Sequence, residues 1–97
     1  MAQFELSIYG ENDEVLKKYE TNVVRWDIFI QAVDIHERFK KLSVSEQVRA
    51  VGDLLKCLFI GLNDEELKCA DYKDIMNTFS QIVSLANGIS KGNSKKG

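Results

Sequence analysis

The sequence predicts an α+β domain that is predominantly helical, with an N-terminal β-hairpin packed on a small bundle of three main helices and one short helix. Residues 3–9 alternate between apolar and polar side chains, which is typical of a half-buried strand. From about Arg25 onward, apolar residues recur every three or four positions, and no proline interrupts them. A chain of 97 residues has room for one modest core. We therefore expect a single domain over 1–89 and a flexible tail over 90–97.

The β-hairpin is the first predicted element. Phe4, Leu6 and Ile8 share one face of the first strand, and residues 10–13 have the Gly, Asn and Asp composition of a turn. Residues 15–19 can return as the second strand. A two-stranded hairpin is marginal in water, so it must lie on the helices or pair with another chain. The sequence leaves open whether it packs within its own subunit or crosses to a neighbour.

The first long helix begins near Arg25, and its apolar residues form two adjacent rows. A stripe of this width predicts contacts with more than one neighbouring element, and it places the aromatic residues in the core. The rows are Trp26, Phe29, Val33 and His36, and beside them Ile28, Ala32, Ile35, Phe39 and Leu42.

The second long helix opens with a capping box at Ser43 to Glu46. Its second half, residues 54–62, is apolar nearly all round and is broken only by Lys56. Such a stretch is either the central element of the fold or partly an interface with another subunit. The predicted core row is Val44, Val48, Val51, Leu55, Leu58 and Leu62. The residues proposed for self-association or partner binding are Leu54, Leu58, Phe59 and Leu62, with intramolecular core as the competing assignment.

Two further helices complete the chain. Asn63 is a candidate N-cap for a short helix that ends near Cys69, and acidic residues fill its first turn. Asp71 caps the last helix, whose apolar positions run at helical spacing from Tyr72 to Ile89. Gly88 suits the position just past the end of that helix, with room for a frayed final turn beyond it.

Few side chains suggest chemistry. His36 could serve as a base for a Cys57 nucleophile, but nothing in the sequence brings them together. A packed or half-exposed histidine and a core cysteine are the simpler interpretation. A zinc site would need His36, Cys57, Cys69 and a carboxylate to converge without the close ligand spacing of zinc motifs. We expect no catalytic, cofactor-binding or metal site.

The composition argues against several partner classes. The net charge is −2 and the pI is near 5.4, so we expect no nucleic-acid partner. No stretch has the length of a membrane span and no signal peptide opens the chain, so we expect no membrane partner. Two thiols without secretory context predict free cysteines in a reducing cytosol.

In length, element order and character, the chain resembles the tail assembly chaperones of long-tailed bacteriophages and prophages of Gram-positive hosts. The resemblance covers most of residues 3–90. It is carried by Phe4-Glu5-Leu6, Trp26-Asp27, Ala32-Val33-Asp34-Ile35-His36-Glu37, Leu62-Asn63-Asp64-Glu65-Glu66-Leu67 and Ala70-Asp71-Tyr72-Lys73-Asp74-Ile75.

The resemblance implies a non-enzymatic protein that self-associates. It implies a chain that binds the tape measure protein and keeps it soluble in the cytoplasm of the bacterial host until tail tube subunits polymerise around it. Such a protein is absent from the mature virion. The family often makes a longer form by a ribosomal frameshift, which would give the tail tube protein as a further partner. The codons of Lys95-Lys96-Gly97 are the candidate slippery site.

Two other functions compete with this one. A regulatory adaptor or antitoxin-like module would bind one folded bacterial protein. A small cysteine-dependent enzyme would lose its activity when Cys57 is replaced. The gene neighbourhood distinguishes the chaperone from the adaptor, because a chaperone gene should precede a very long gene for a coiled-coil-rich protein.

Overall fold

The computed structural model describes residues 3–86 in full and gives only the backbone assignment for 87–96. The predicted architecture is confirmed: an N-terminal antiparallel hairpin is followed by three long helices and one short one. The strands are β1 (Phe4–Tyr9) and β2 (Val15–Thr21). The helices are α1 (Trp26–Arg38), α2 (Val44–Leu58), α3 (Asp64–Leu67) and α4 (Tyr72–Lys96), with a 3₁₀ turn at Phe39–Lys41 after α1.

The hairpin packs on the helices of its own chain. Leu6 pairs with Tyr19 at the centre of the antiparallel ladder, and a bulge at Ile8/Tyr9 shifts the register near the turn. The inward side chains of β1 are buried because they face α4 and the rest of the helical layer. One edge of β1 is also closed, because the Tyr9 amide donates to the carbonyl of Cys69 at 2.9 Å.

Local capping explains where the helices begin. Ser43 and Glu46 form the predicted capping box, with the Ser43 amide donating to Glu46 at 2.8 Å. The Asn63 side chain accepts from the amide of Glu66 at 2.9 Å, and Asp71 accepts from the amide of Lys73 at the same distance. These bonds satisfy amides that a helix start otherwise leaves without partners.

A single core lies between the hairpin and the three long helices. The row of α1 that contains Ile28, Ala32 and Ile35 is buried, whereas Trp26 and His36 in the neighbouring row are exposed. The core residues are Phe4, Leu6, Ile8, Tyr19, Ile28, Ala32, Ile35, Val51, Leu54, Leu55, Leu58, Phe59, Leu62, Phe79, Ile82 and Val83.

Several sequence-based placements were wrong. Val44 and Val48 are exposed, because only the second half of α2 is enclosed by other elements. Trp26 and Tyr72 are exposed because each opens its helix at the margin of the apolar stripe.

The ends of two helices also differ from prediction. α2 stops at Leu58, and the chain turns at Gly61 with a φ of 96°. The bounds of α4 pass Gly88, because glycine disfavours a helix interior by only about 1 kcal/mol relative to alanine. The flexible tail predicted over 90–97 lies outside the fully described residues and stays a prediction.

Candidate protein-interaction surface

The four residues proposed for partner binding lie inside the chain. Leu54, Leu58, Phe59 and Leu62 are between 1% and 6% exposed. These four side chains are covered by α1, α4 and the hairpin, whereas Cys57 and Ile60 in the same segment are exposed. In this fold the side chains form the core, which was the competing assignment. A partner could reach them only if the domain opened.

The turn after α2 is where the hairpin meets the helices. The Tyr19 ring lies 6.2 Å from the Phe59 ring, and its hydroxyl oxygen lies 3.2 Å from the carbonyl oxygen of Gly61. The same hydroxyl donates to the carboxylate of Glu66, and Lys17 forms an ion pair with that carboxylate at 3.2 Å. These contacts hold β2 against α3 within one subunit.

A different set of apolar side chains is exposed at the start of α1. We define the α1 patch as Val23, Trp26 and Ile30, which are 64%, 74% and 46% exposed. Trp26 and Ile30 lie one turn apart on one helix face, and Val23 precedes them. The Trp26 ring lies 6.1 Å from the ring of Phe29, which packs against the core. The Trp26 ring is therefore supported by a side chain that packs against the core.

Charged and polar groups border the α1 patch. The Arg25 guanidinium donates from Nη2 to the carbonyl of Cys57 at 3.0 Å, and its Nε lies 3.6 Å from Asp27. The first of these contacts joins the start of α1 to the end of α2. An apolar centre with a charged margin is the usual composition of a protein-binding surface.

The sequence carried a sign of this patch that its interpretation missed. Residues 23, 26 and 30 have three- and four-residue spacing, parallel to the buried row beginning at Ile28. Two parallel rows are more than one face of a small bundle needs. Trp26 is expected in the core row with Phe29, and Val23 and Ile30 belong to neither expected row, because periodicity gives the direction of a row and not the number of neighbours that cover it.

The residues considered for catalysis or metal binding do not converge. Arg25 at the start of α1 contacts the end of α2, whereas His36 lies about 16 Å farther along α1. His36 and Cys57 therefore lie toward opposite ends of this helix pair. Cys57 and Cys69 are both exposed free thiols, so the core placement expected for Cys57 was wrong. No group of three candidate metal ligands occurs within the described residues.

The acidic residues of α3 have structural partners. Asp64 forms an ion pair with Lys56 at 2.6 Å, which lowers the pKa of the Asp64 carboxyl. The hydrogen bond from Tyr19, followed by the contacts with Lys17, lowers the pKa of Glu66. These groups tie α3 to α2 and to β2.

No helix in the described part of the chain is long and apolar enough to cross a membrane. No family model, no curated protein and no solved structure matches the chain.

Proposed function

We propose that this chain is a phage tail assembly chaperone, which self-associates and holds the unassembled tape measure protein through the α1 patch. The observation that carries the proposal is the 74% exposure of Trp26, with Ile30 exposed one turn later. A tryptophan held on the surface beside a core aromatic is a typical anchor for a protein partner. The family resemblance supplies the identity of that partner.

The chemistry of the α1 patch suits such a partner. An unassembled tape measure protein is a long helical chain with apolar stripes, and an amphipathic helix docks by placing apolar residues against an apolar surface. The α1 patch provides three apolar side chains on and next to one helix. Because these side chains contribute little to the core, the chaperone can bind and release its partner without unfolding.

The family resemblance also supplies the proposed location of the protein and its further partner. The protein would act in the cytoplasm of the bacterial host and leave before the virion is mature. A frameshifted longer form would bring the tail tube protein to the held tape measure protein.

Co-expression with the tape measure protein of the same gene cluster tests this function. We expect the wild-type chain to move that protein from the insoluble to the soluble fraction. Trp26→Asp should abolish the effect, because the charge would occupy the centre of the α1 patch. Tyr72→Asp is the matched control, since Tyr72 is an exposed aromatic residue at the start of another helix. The proposal fails if the tape measure protein stays insoluble with the wild-type chain.

A further inference from the structure

The two edges of the hairpin differ in what covers them. At the edge of β1, Ile8 forms an isolated β-bridge with Ala70. On α4, the Thr78 hydroxyl lies 3.5 Å from the carbonyl oxygen of Glu5. In the described part of the chain, the backbone of β2 hydrogen-bonds to no element other than β1. β2 has seven residues and lacks proline, so it presents an open template for another strand.

The charges on the outer face of the hairpin are incompletely balanced. Glu5 and Glu20 are directly opposite each other in the ladder, and like charges at such positions repel. Lys18 lies 3.4 Å from Glu5 and forms an exposed ion pair with it. Glu20 has no salt bridge within the described residues. A cation on the open side of β2 would lie next to Glu20 and reduce its repulsion with Glu5.

We propose that β2 of a second copy of this chain pairs antiparallel with β2 across a two-fold axis at Tyr19. This interface rests on the proposed function, which includes self-association, and it names β2 as the surface through which two copies associate. In this register Lys18 of each copy lies opposite Glu20 of the other, so two ion pairs form. The register centred on Lys18 places two lysines together, and the one centred on Glu20 places two glutamates together.

The turn after α2 adds an apolar contact to this interface. Phe59 and Gly61 both contact Tyr19, and Ile60 between them is 81% exposed. A two-fold axis at Tyr19 places the turns after α2 of both copies on the same face of the joined sheet, with Ile60 of each turn available for contact. The four-stranded sheet would then bury apolar surface that the monomer leaves in water.

The charges of β2 also explain why the edge need not cause uncontrolled aggregation. Lysines on an edge strand oppose pairing with most other strands. A second copy in the stated register supplies a glutamate opposite Lys18, so its pairing is not opposed by the lysine charge. A C2 dimer occupies the open edge of both copies and therefore closes the assembly at this surface.

Charge exchange on β2 tests the register. Sedimentation equilibrium over a wide concentration range should show a reversible dimer for the wild-type chain. Glu20→Lys should raise the dissociation constant by about tenfold or more, because both ion pairs become lysine pairs. The same substitution places a lysine opposite Glu5, so the unfolding midpoint of the dilute monomer should stay equal or rise. The double variant Lys18→Glu/Glu20→Lys should restore dimerisation.

Hydrogen exchange provides a second measurement on the same samples. Among residues 17–21, the amides that point away from β1 should gain protection as the wild-type concentration rises, and Glu20→Lys should prevent the gain. The register would be overturned, with self-association intact, if the wild type dimerised and Glu20→Lys changed neither the dissociation constant nor the hydrogen exchange of β2. A wild-type chain that is strictly monomeric would overturn both, whereas binding of the tape measure protein is measured separately by co-expression.

Discussion

The hydroxyl of Tyr19 on β2 donates a hydrogen bond to the carboxylate of Glu66 in α3, which lies 47 residues farther along the chain. Lys17 reaches the same carboxylate, and its ammonium also lies 4.5 Å from the centre of the Tyr19 ring. One acidic side chain thus connects the outer strand to the short helix. Neither partner has a local sequence pattern that predicts this connection.

The connection predicts a pH-dependent contribution to stability. The fold lowers the pKa of Glu66 from its ordinary value of 4.5, chiefly through the hydrogen bond from Tyr19. The charged form is therefore favoured in the folded state. Its contribution is fully present above the unfolded pKa and is lost as the pH falls through the lowered folded pKa. Glu66→Gln should reduce the urea midpoint near neutral pH, and the difference from wild type should shrink below pH 4.5.

Glu65→Gln is the control for that experiment, because Glu65 lies in the same helix and its ion pair among the described residues is with the exposed Lys68. It should leave the pH profile close to that of the wild type. An equal loss of stability for Glu66→Gln at acid and neutral pH would contradict the assignment.

Replacing Phe59 distinguishes core from interface. Phe59 is 2% exposed, so Phe59→Ala should reduce the free energy of unfolding by about 3–5 kcal/mol. Phe59→Asp should prevent folding, as circular dichroism would show. Ile60→Asp is the neighbouring control, and at concentrations where the chain is monomeric it should change stability by less than about 0.5 kcal/mol. A folded, soluble monomer with Phe59→Asp would instead identify an interface.

Gly61 should resist substitution because of its backbone. Its φ of 96° lies in the region that residues with a Cβ disfavour, although the nearest atom to an added Cβ is 3.9 Å away in Tyr19. Gly61→Ala should therefore cost roughly 1–2 kcal/mol from backbone strain rather than from a clash. Thermal unfolding measures the loss. Gly10→Ala is the comparison, since an added Cβ there meets only the flexible end of Glu14. Equal stability of Gly61→Ala and wild type would contradict the turn geometry.

The elements with local causes were predictable from the sequence. The alternation at Phe4, Leu6 and Ile8 predicts β1, and Ser43 and Asp71 predict helix starts that the structure confirms. Each of these features depends on residues within a few positions of one another. Helix capping and apolar periodicity, which predict these features, also depend on residues only a few positions apart.

The exposed surface could not be predicted in the same way. The spacing of Trp26 and of Val44 matches buried rows, and only the placement of other elements leaves these side chains exposed. Conversely, the second half of α2 resembled an interface because the sequence does not show how many elements surround Phe59. Burial is a tertiary property, so a wide apolar stripe is compatible with either result.

The fluorescence of Trp26 reports directly on whether a partner occupies the α1 patch, because Trp26 is the only tryptophan in the chain. Its emission should be that of a solvent-exposed indole in the isolated protein. Addition of soluble, tryptophan-free segments of the tape measure protein should shift the emission to the blue and reduce quenching by acrylamide. We expect this change for wild type and for Tyr72→Asp. Segments that bind, as measured by co-sedimentation, while Trp26 keeps its emission and quenching would contradict it.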